Sequence, residues 1–201
     1  MTRTIVALTA LLVVSPLSAE EPWKQHATKD GLSLERRSVP DSKYYEYRIR
    51  TESPASPQAV LRGMWSGLGE DLPPSVMKRT FLSRAENEVV VYDQIKTPVV
   101  SDRDLALRIR RIVHADTGVI EVQFESANQF APPSDSKYVR IPMVRGGWTI
   151  APNAGGGSVL TYVCYSEPGG SIPAFLVRGA QQDQVFVDVK RILRRALVNN
   201  N

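Results

Sequence analysis

A second cysteine is missing, so Cys164 can form no internal disulfide and the fold must rest on its apolar core. Cys164 sits between Val163 and Tyr165 in an apolar stretch with no adjacent base, which reads as a small buried hydrophobe rather than a reactive thiol. Histidine is scarce too. His26 and His114 lie far apart, and neither has a partner at metal-ligand spacing, so no metal site and no cofactor are expected. There is no G-x-S-x-G nucleophile elbow, no phosphate-binding loop and no dinucleotide fingerprint. The Gly155–Gly157 run precedes a strand pattern, not a helix, and reads as a turn. Internal repeats are absent, and no apolar run is long enough to cross a bilayer. The excess of positive charge is small, 25 Lys and Arg against 21 Asp and Glu, well short of a nucleic-acid-binding surface. Together these absences argue against an enzyme.

The first 19 residues read as a secretory leader. Arg3 supplies the early positive charge, Ile5–Val14 the apolar run, and small residues lead up to Ala19. Cleavage after Ala19 is expected, leaving residues 20–201 as one domain of an exported protein, periplasmic or secreted. No cysteine follows the run, which excludes a lipoprotein anchor.

The remaining chain changes period twice. "GLSLERRSV" (31–39) and "KYYEYRIRTE" (43–52) alternate and predict a strand pair joined at Pro40–Asp41–Ser42. Ser56 followed by Pro57 marks a helix start, and Val60, Leu61, Met64 and Trp65 recur at helical spacing. "GEDLPPS" ends that helix. Seven strands are then predicted near 79–86, 88–96, 103–114, 118–126, 138–143, 147–151 and 158–166, with a longer loop at 127–136 carrying Phe130. From Ser171 and Pro173 onward the period is helical again for roughly 26 residues, or about 39 Å. The class is α+β: a meandering antiparallel sheet wrapped on a long C-terminal helix.

The strand beginning at Asp102 is the clearest case of alternation. Leu105, Leu107 and Ile109 share one face, while Arg108, Arg110 and Arg111 are assigned to the outer one. Ile120, Val122 and Phe124 form a second inward set, and Trp148 adds aromatic bulk. A packed core and a hollow interior demand the same alternation, so periodicity leaves both open. Lys190, Arg191, Arg194 and Arg195 form a basic stripe near the chain end. It reads either as a solvated helix terminus or as a contact for anionic lipid headgroups.

Several blocks in this order resemble the START domains, the family of steroidogenic acute regulatory protein-related lipid transfer domains. They are Trp23, "DGLSLERR" (30–37), "SPASPQAVL" (53–61), "VVYDQIKTPVVSDRDLALRIRR" (90–111), "YVRIP…GGWTIAP" (138–152) and "VLTYVCYSEPGGSIPAFLV" (159–177). The resemblance spans nearly all of residues 20–201. It implies a helix-grip fold, a curved antiparallel sheet around the last helix enclosing a tunnel for one lipid, and non-catalytic lipid binding or transfer. Leu105, Leu107, Ile109, Ile120, Val122, Phe124 and Trp148 would then line the sheet side, and Phe175 and Phe186 the helix side. Some cholesterol-binding members carry a buried lumenal arginine; the matching position here is Ile109, which argues against a charged anchor. The Arg103–Asp104 pair is assigned to scaffolding. The expected partner is one sterol-like or other lipid per monomer, with transient membrane contact through the basic stripe and no nucleic acid. A helix-grip cyclase or hydrolase would instead need polar groups such as Tyr92, Asp93 or Tyr162 converging in the cavity. A protein-interaction module would have a filled core.

Overall fold

A computed structural model describes residues 20–98 and 100–198; the leader reading lies outside the described residues. The elements run β1 (Lys24–Lys29), β2 (Leu32–Ser38), β3 (Tyr45–Ser53), α1 (Pro57–Ser66), β4 (Val76–Arg84), β5 (Glu88–Ile95), β6 (Asp102–Val113), β7 (Ile120–Ser126), β8 (Tyr138–Arg140), β9 (Met143–Pro152), β10 (Ser158–Glu167) and α2 (Ala174–Val198). The strands form one ten-stranded sheet in the order β1-β2-β3-β10-β9-β7-β6-β5-β4, with β8 lying parallel on the start of β6. All other pairings are antiparallel. The curved open sheet wraps α2, as a helix-grip fold requires.

The predicted strand pair is β2–β3, in register from Leu34↔Ile49 to Ser38↔Tyr45. Strand β1 has no counterpart in the sequence reading. Its "KQHATK" carries no apolar alternation because it is an edge strand, held by the ladder to β2 through the turn at Asp30–Gly31, both at positive φ.

Helix α1 begins as the sequence indicates: Ser56 Oγ accepts from the Ala59 amide at 3.3 Å and Pro57 follows. Its buried side, Ala59, Val60, Gly63 and Met64, faces the core and α2. A Cβ at Gly63 would stand 3.1 Å from the Arg195 carbonyl oxygen, so glycine lets the two helices approach.

Strand β9 is longer than predicted and runs through Gly146–Gly147, where sheet curvature brings neighbouring chain too close for a side chain. A Cβ at Gly146 would lie 2.2 Å from the Val163 oxygen, and one at Gly147 would lie 2.8 Å from the Val122 oxygen.

The 25 residues of α2 extend about 38 Å. The main core joins Val185, Phe186, Val189, Ile192 and Ala196 of α2 to Leu34, Ile49, Ile120, Ile150 and Leu160 of the sheet and Val60 of α1.

One outer-face assignment needs correction. Arg108 and Arg110 lie on the convex face, paired with Glu88 and Glu125. Arg111 shares the parity of Ile109 instead. It hydrogen-bonds Asn87 and lies 4.9 Å over the Trp65 ring at the end of α1.

Candidate functional site

The sheet and α2 do not close on each other everywhere. Between them lies a cavity of about 620 Å³. Leu105, Leu107 and Ile109 of β6, Val122 and Phe124 of β7 and Trp148 of β9 all line it, each at an inward position of its strand. Trp148 stacks on Tyr162 at 4.4 Å between ring centroids, and Phe124 meets the same tyrosine at 6.2 Å. Met64, Trp65 and Leu68 close the α1 end. Pro98, Val100, Ile172 and Leu176 form the opposite rim.

Three of the residues expected here lie elsewhere. Ile120 is fully buried in the packed core, paired with Ile150, and does not line this cavity. Phe186 is 1 % exposed in the same core, under Lys29, and Phe175 is 70 % exposed on the outside of α2. The reason is helical geometry. At about 100° per residue, Leu176, Val177, Ala180, Gln184, Asp188 and Arg191 share one side of α2, while Phe175 and Phe186 point nearly opposite. Because the sheet grips more than one side of α2, an apolar residue can be buried without facing the cavity.

The same geometry brings polar groups into the cavity wall that periodicity did not single out. Gln181, Gln184, Asp188 and Arg191 recur at i, i+3, i+7 and i+10 on the cavity side. That spacing of polar residues along a helix packed against the core is a signal the sequence does contain. Asp188 accepts from Gln184 Nε2 at 3.1 Å and from the Tyr162 hydroxyl at 3.4 Å. Burial pushes the Asp188 carboxyl up to about 6, opposed by the positive charges of Arg191 and Arg79. Burial likewise raises Tyr162, and it raises Cys164 to about 12, so the cavity-lining thiol stays protonated and inert.

A pH effect follows from Asp188. Between its ordinary 3.8 and about 6, the folded state binds the proton more tightly than the unfolded chain. Its contribution is therefore destabilising above pH 6 and fades as pH falls through that window. Asp188→Asn is expected to be more stable than the wild type by about 3 kcal/mol at pH 8, and by roughly half that at pH 5. Paired denaturant titrations at the two pH values measure this; an equal difference at both would refute the assignment.

A second charged group borders the cavity between β4 and β5. Arg79 donates to Asp93 through Nε at 2.7 Å and Nη2 at 2.5 Å, and through Nη1 to the Leu68 carbonyl at 3.0 Å. Arg103 is the third. It shares the inward parity of Leu105, lines the rim and donates to the carbonyls of Ser101, Pro168 and Gly169. The expectation of a cavity wall without lumenal charge is thus corrected. Arg103 and Asp104 also do not form a unit, since adjacent strand residues point to opposite faces. Asp104 instead accepts a bidentate pair from Arg140 at 2.7 and 2.9 Å and the Tyr92 hydroxyl at 2.7 Å, fastening β8 to β6. Burial works against the charged Asp104 carboxylate, yet these bonds hold it below the usual range. Tyr92 rises to about 12 from burial and the Asp104 bond. Tyr92 is therefore committed away from the cavity and Asp93 to Arg79, while Tyr162 faces the cavity beside Asp188. Among the described residues, no group of three His, Cys, Asp or Glu side chains could hold a metal.

The basic stripe of α2 is largely occupied within the protein. Lys190 pairs with Asp30. Arg191 donates to the Asp71 carbonyl at 2.7 Å, and Arg195 to the Gly63 carbonyl at 2.8 Å, with the Asp71 carboxylate near both. Arg194 faces solvent. Packing of α1 and its following turn on α2 engages Arg191 and Arg195, and the β1–β2 turn engages Lys190, so three of the four cations have partners within the protein.

The chain is similar to several known proteins. It is 28 % identical over 181 residues to an uncharacterized protein of Pseudomonas aeruginosa, covering 87 % of this chain and 86 % of that protein. It is 25 % identical over 169 residues to the phosphatidylcholine transfer protein of Mus musculus, covering 81 % of this chain and 78 % of that protein. Among solved structures, a STAR-related lipid transfer protein from Xanthomonas axonopodis superposes with a TM-score of 0.76 at 25 % identity, over 87 % of this chain and 98 % of its own. The START domain family model matches residues 6–201, and with the sheet gripping α2 around an interior cavity, the chain belongs to the START-domain family.

Proposed function

We propose that this protein binds one lipid, or a hydrophobic molecule of similar size, in the cavity between sheet and α2 and carries it through water without chemical change. The observation that carries the reading is the cavity itself, with Leu105, Leu107, Ile109, Val122, Phe124 and Trp148 as its sheet wall. Each methylene moved from water into such a wall gains about 0.8 kcal/mol, so an acyl chain or fused-ring skeleton supplies the driving force. The names of the mouse and Xanthomonas relatives support the lipid class, not one headgroup. Exposed Val100 and Leu176 at the rim form an apolar entrance. In this proposal that entrance, rather than the α2 arginines, meets a membrane surface. Export through the N-terminal leader belongs to the same proposal.

One experiment addresses both parts. The full chain is produced in a host able to export it, purified without detergent, and studied by native mass spectrometry with solvent extraction. The expected result is a polypeptide beginning at Glu20 that carries one lipid-sized molecule per chain. A chain retaining its leader would remove the export reading. Recovery of no lipid, together with no uptake of fluorescent sterols or phospholipids, would remove the carrier reading.

A further inference from the structure

We propose that Asp188 selects the polar end of the cargo, and that the cargo presents there an uncharged hydroxyl. This rests on the carrier reading. The charged residues that border the cavity differ in what remains free on them. Arg79 is taken up by Asp93 and the Leu68 carbonyl, Arg103 by three backbone carbonyls, and Lys96 by Asp102. Asp188 is different. A carboxylate offers about four acceptor positions, and among the described residues only Gln184 and Tyr162 donate to it, at 3.1 and 3.4 Å. The residue lines the cavity and keeps intermediate accessibility although protein surrounds it, so its accessible surface opens into the cavity.

The surroundings narrow the chemistry of what arrives. An anionic headgroup would face the Asp188 carboxylate at close range in a poorly solvated space, which is strongly unfavourable. A cationic headgroup would meet Arg191, three residues along the same side of α2, and Arg79; both positive charges act on Asp188 already. A hydroxyl carries neither penalty. It donates to Asp188 and keeps a lone pair for Arg191 Nε, which is buried without a hydrogen-bond partner. The mid-helix position of Asp188 sets this polar end inside the cavity, with the hydrocarbon against the Leu105–Leu107–Ile109 wall.

Three probes at pH 8 test this: a pyrene-labelled dodecanol, its methyl ether and its trimethylammonium analogue, each titrated into the delipidated full-length protein. The alcohol is expected to bind about tenfold more tightly than either analogue, or about 1.4 kcal/mol, near the lower bound for a hydrogen bond to a charged group. In Asp188→Leu the preference of alcohol over ether disappears while the ether still binds; in Asp188→Asn it is reduced. Thermal melts confirm that both variants are folded. Equal binding of alcohol and ether by the wild type, a preference surviving in Asp188→Leu, or tightest binding of the ammonium probe would each overturn the assignment and leave the carrier reading standing. Binding of none of the three would overturn both.

Discussion

Asp104→Ala is expected to lower folding stability by about 3–5 kcal/mol, because it leaves the guanidinium of Arg140 on β8 without its counter-charge. Asp104 is the acceptor for three hydrogen bonds, two from Arg140 and one from Tyr92, and it is almost inaccessible to water. Removing a buried carboxylate from a satisfied network costs more than the bonds contribute, since the donors are left unpaired in a poorly solvated space. The loss is also topological. The β8–β6 ladder spans only Asp102↔Tyr138 to Asp104↔Arg140, so the Arg140 contact is a large part of what holds that strand. In a chain of this size, the corresponding fall in melting temperature is roughly 10 °C. Calorimetry or a circular-dichroism melt gives the answer. A change of under about 2 °C would show that β8 is held by something other than this network.

Leu107→Arg is expected to abolish cargo binding while the protein remains folded. Leu107 faces the cavity from the middle of β6, opposite Val91 on one neighbour and Ser126 on the other. The cavity has room for the longer side chain, so overpacking is modest. The guanidinium, however, brings charge and water to a surface whose affinity for hydrocarbon depends on being apolar. With about 0.8 kcal/mol at stake per methylene, displacing four methylenes from the wall reduces affinity by more than a hundredfold. The readouts are lipid content after purification and titration with a fluorescent lipid. Wild-type uptake by a folded Leu107→Arg variant would mean that the cargo does not rest on this wall.

Both substitutions act on β6, and that strand shows how far sequence reading goes. The period of two placed Leu105, Leu107 and Ile109 on one face without knowledge of the fold, because side-chain direction in a strand depends only on residue parity. The same rule placed Val122 and Phe124 beside them. It also implied that Arg103 faces inward, although the Arg–Asp dipeptide invites reading as a pair. Helix α2 was less legible. Its apolar stripe is broad because sheet surrounds it on several sides, so Phe186 is buried as expected but away from the cavity, and Phe175 is not buried at all. The cavity side was marked by its polar members, Gln184 and Asp188, rather than by its apolar ones.

By itself, the sequence determined the faces of β6 and β7, the capped start of α1, the length of α2 and the order of elements that identifies the family. These are local properties, set by dihedral period, side-chain direction and capping within a few residues. The tertiary structure alone decided that the interior is hollow, that β1 is a strand, that β8 lies parallel on β6, and that Arg191 and Arg195 turn toward Asp71 and α1 instead of solvent. Each of these depends on another segment of the chain, more than a hundred residues away for Arg191 and Arg195, or on the volume left when curved sheet meets helix. An alternating pattern records which side of a strand avoids water, and that preference is the same whether the space it faces is filled by protein or left for a guest.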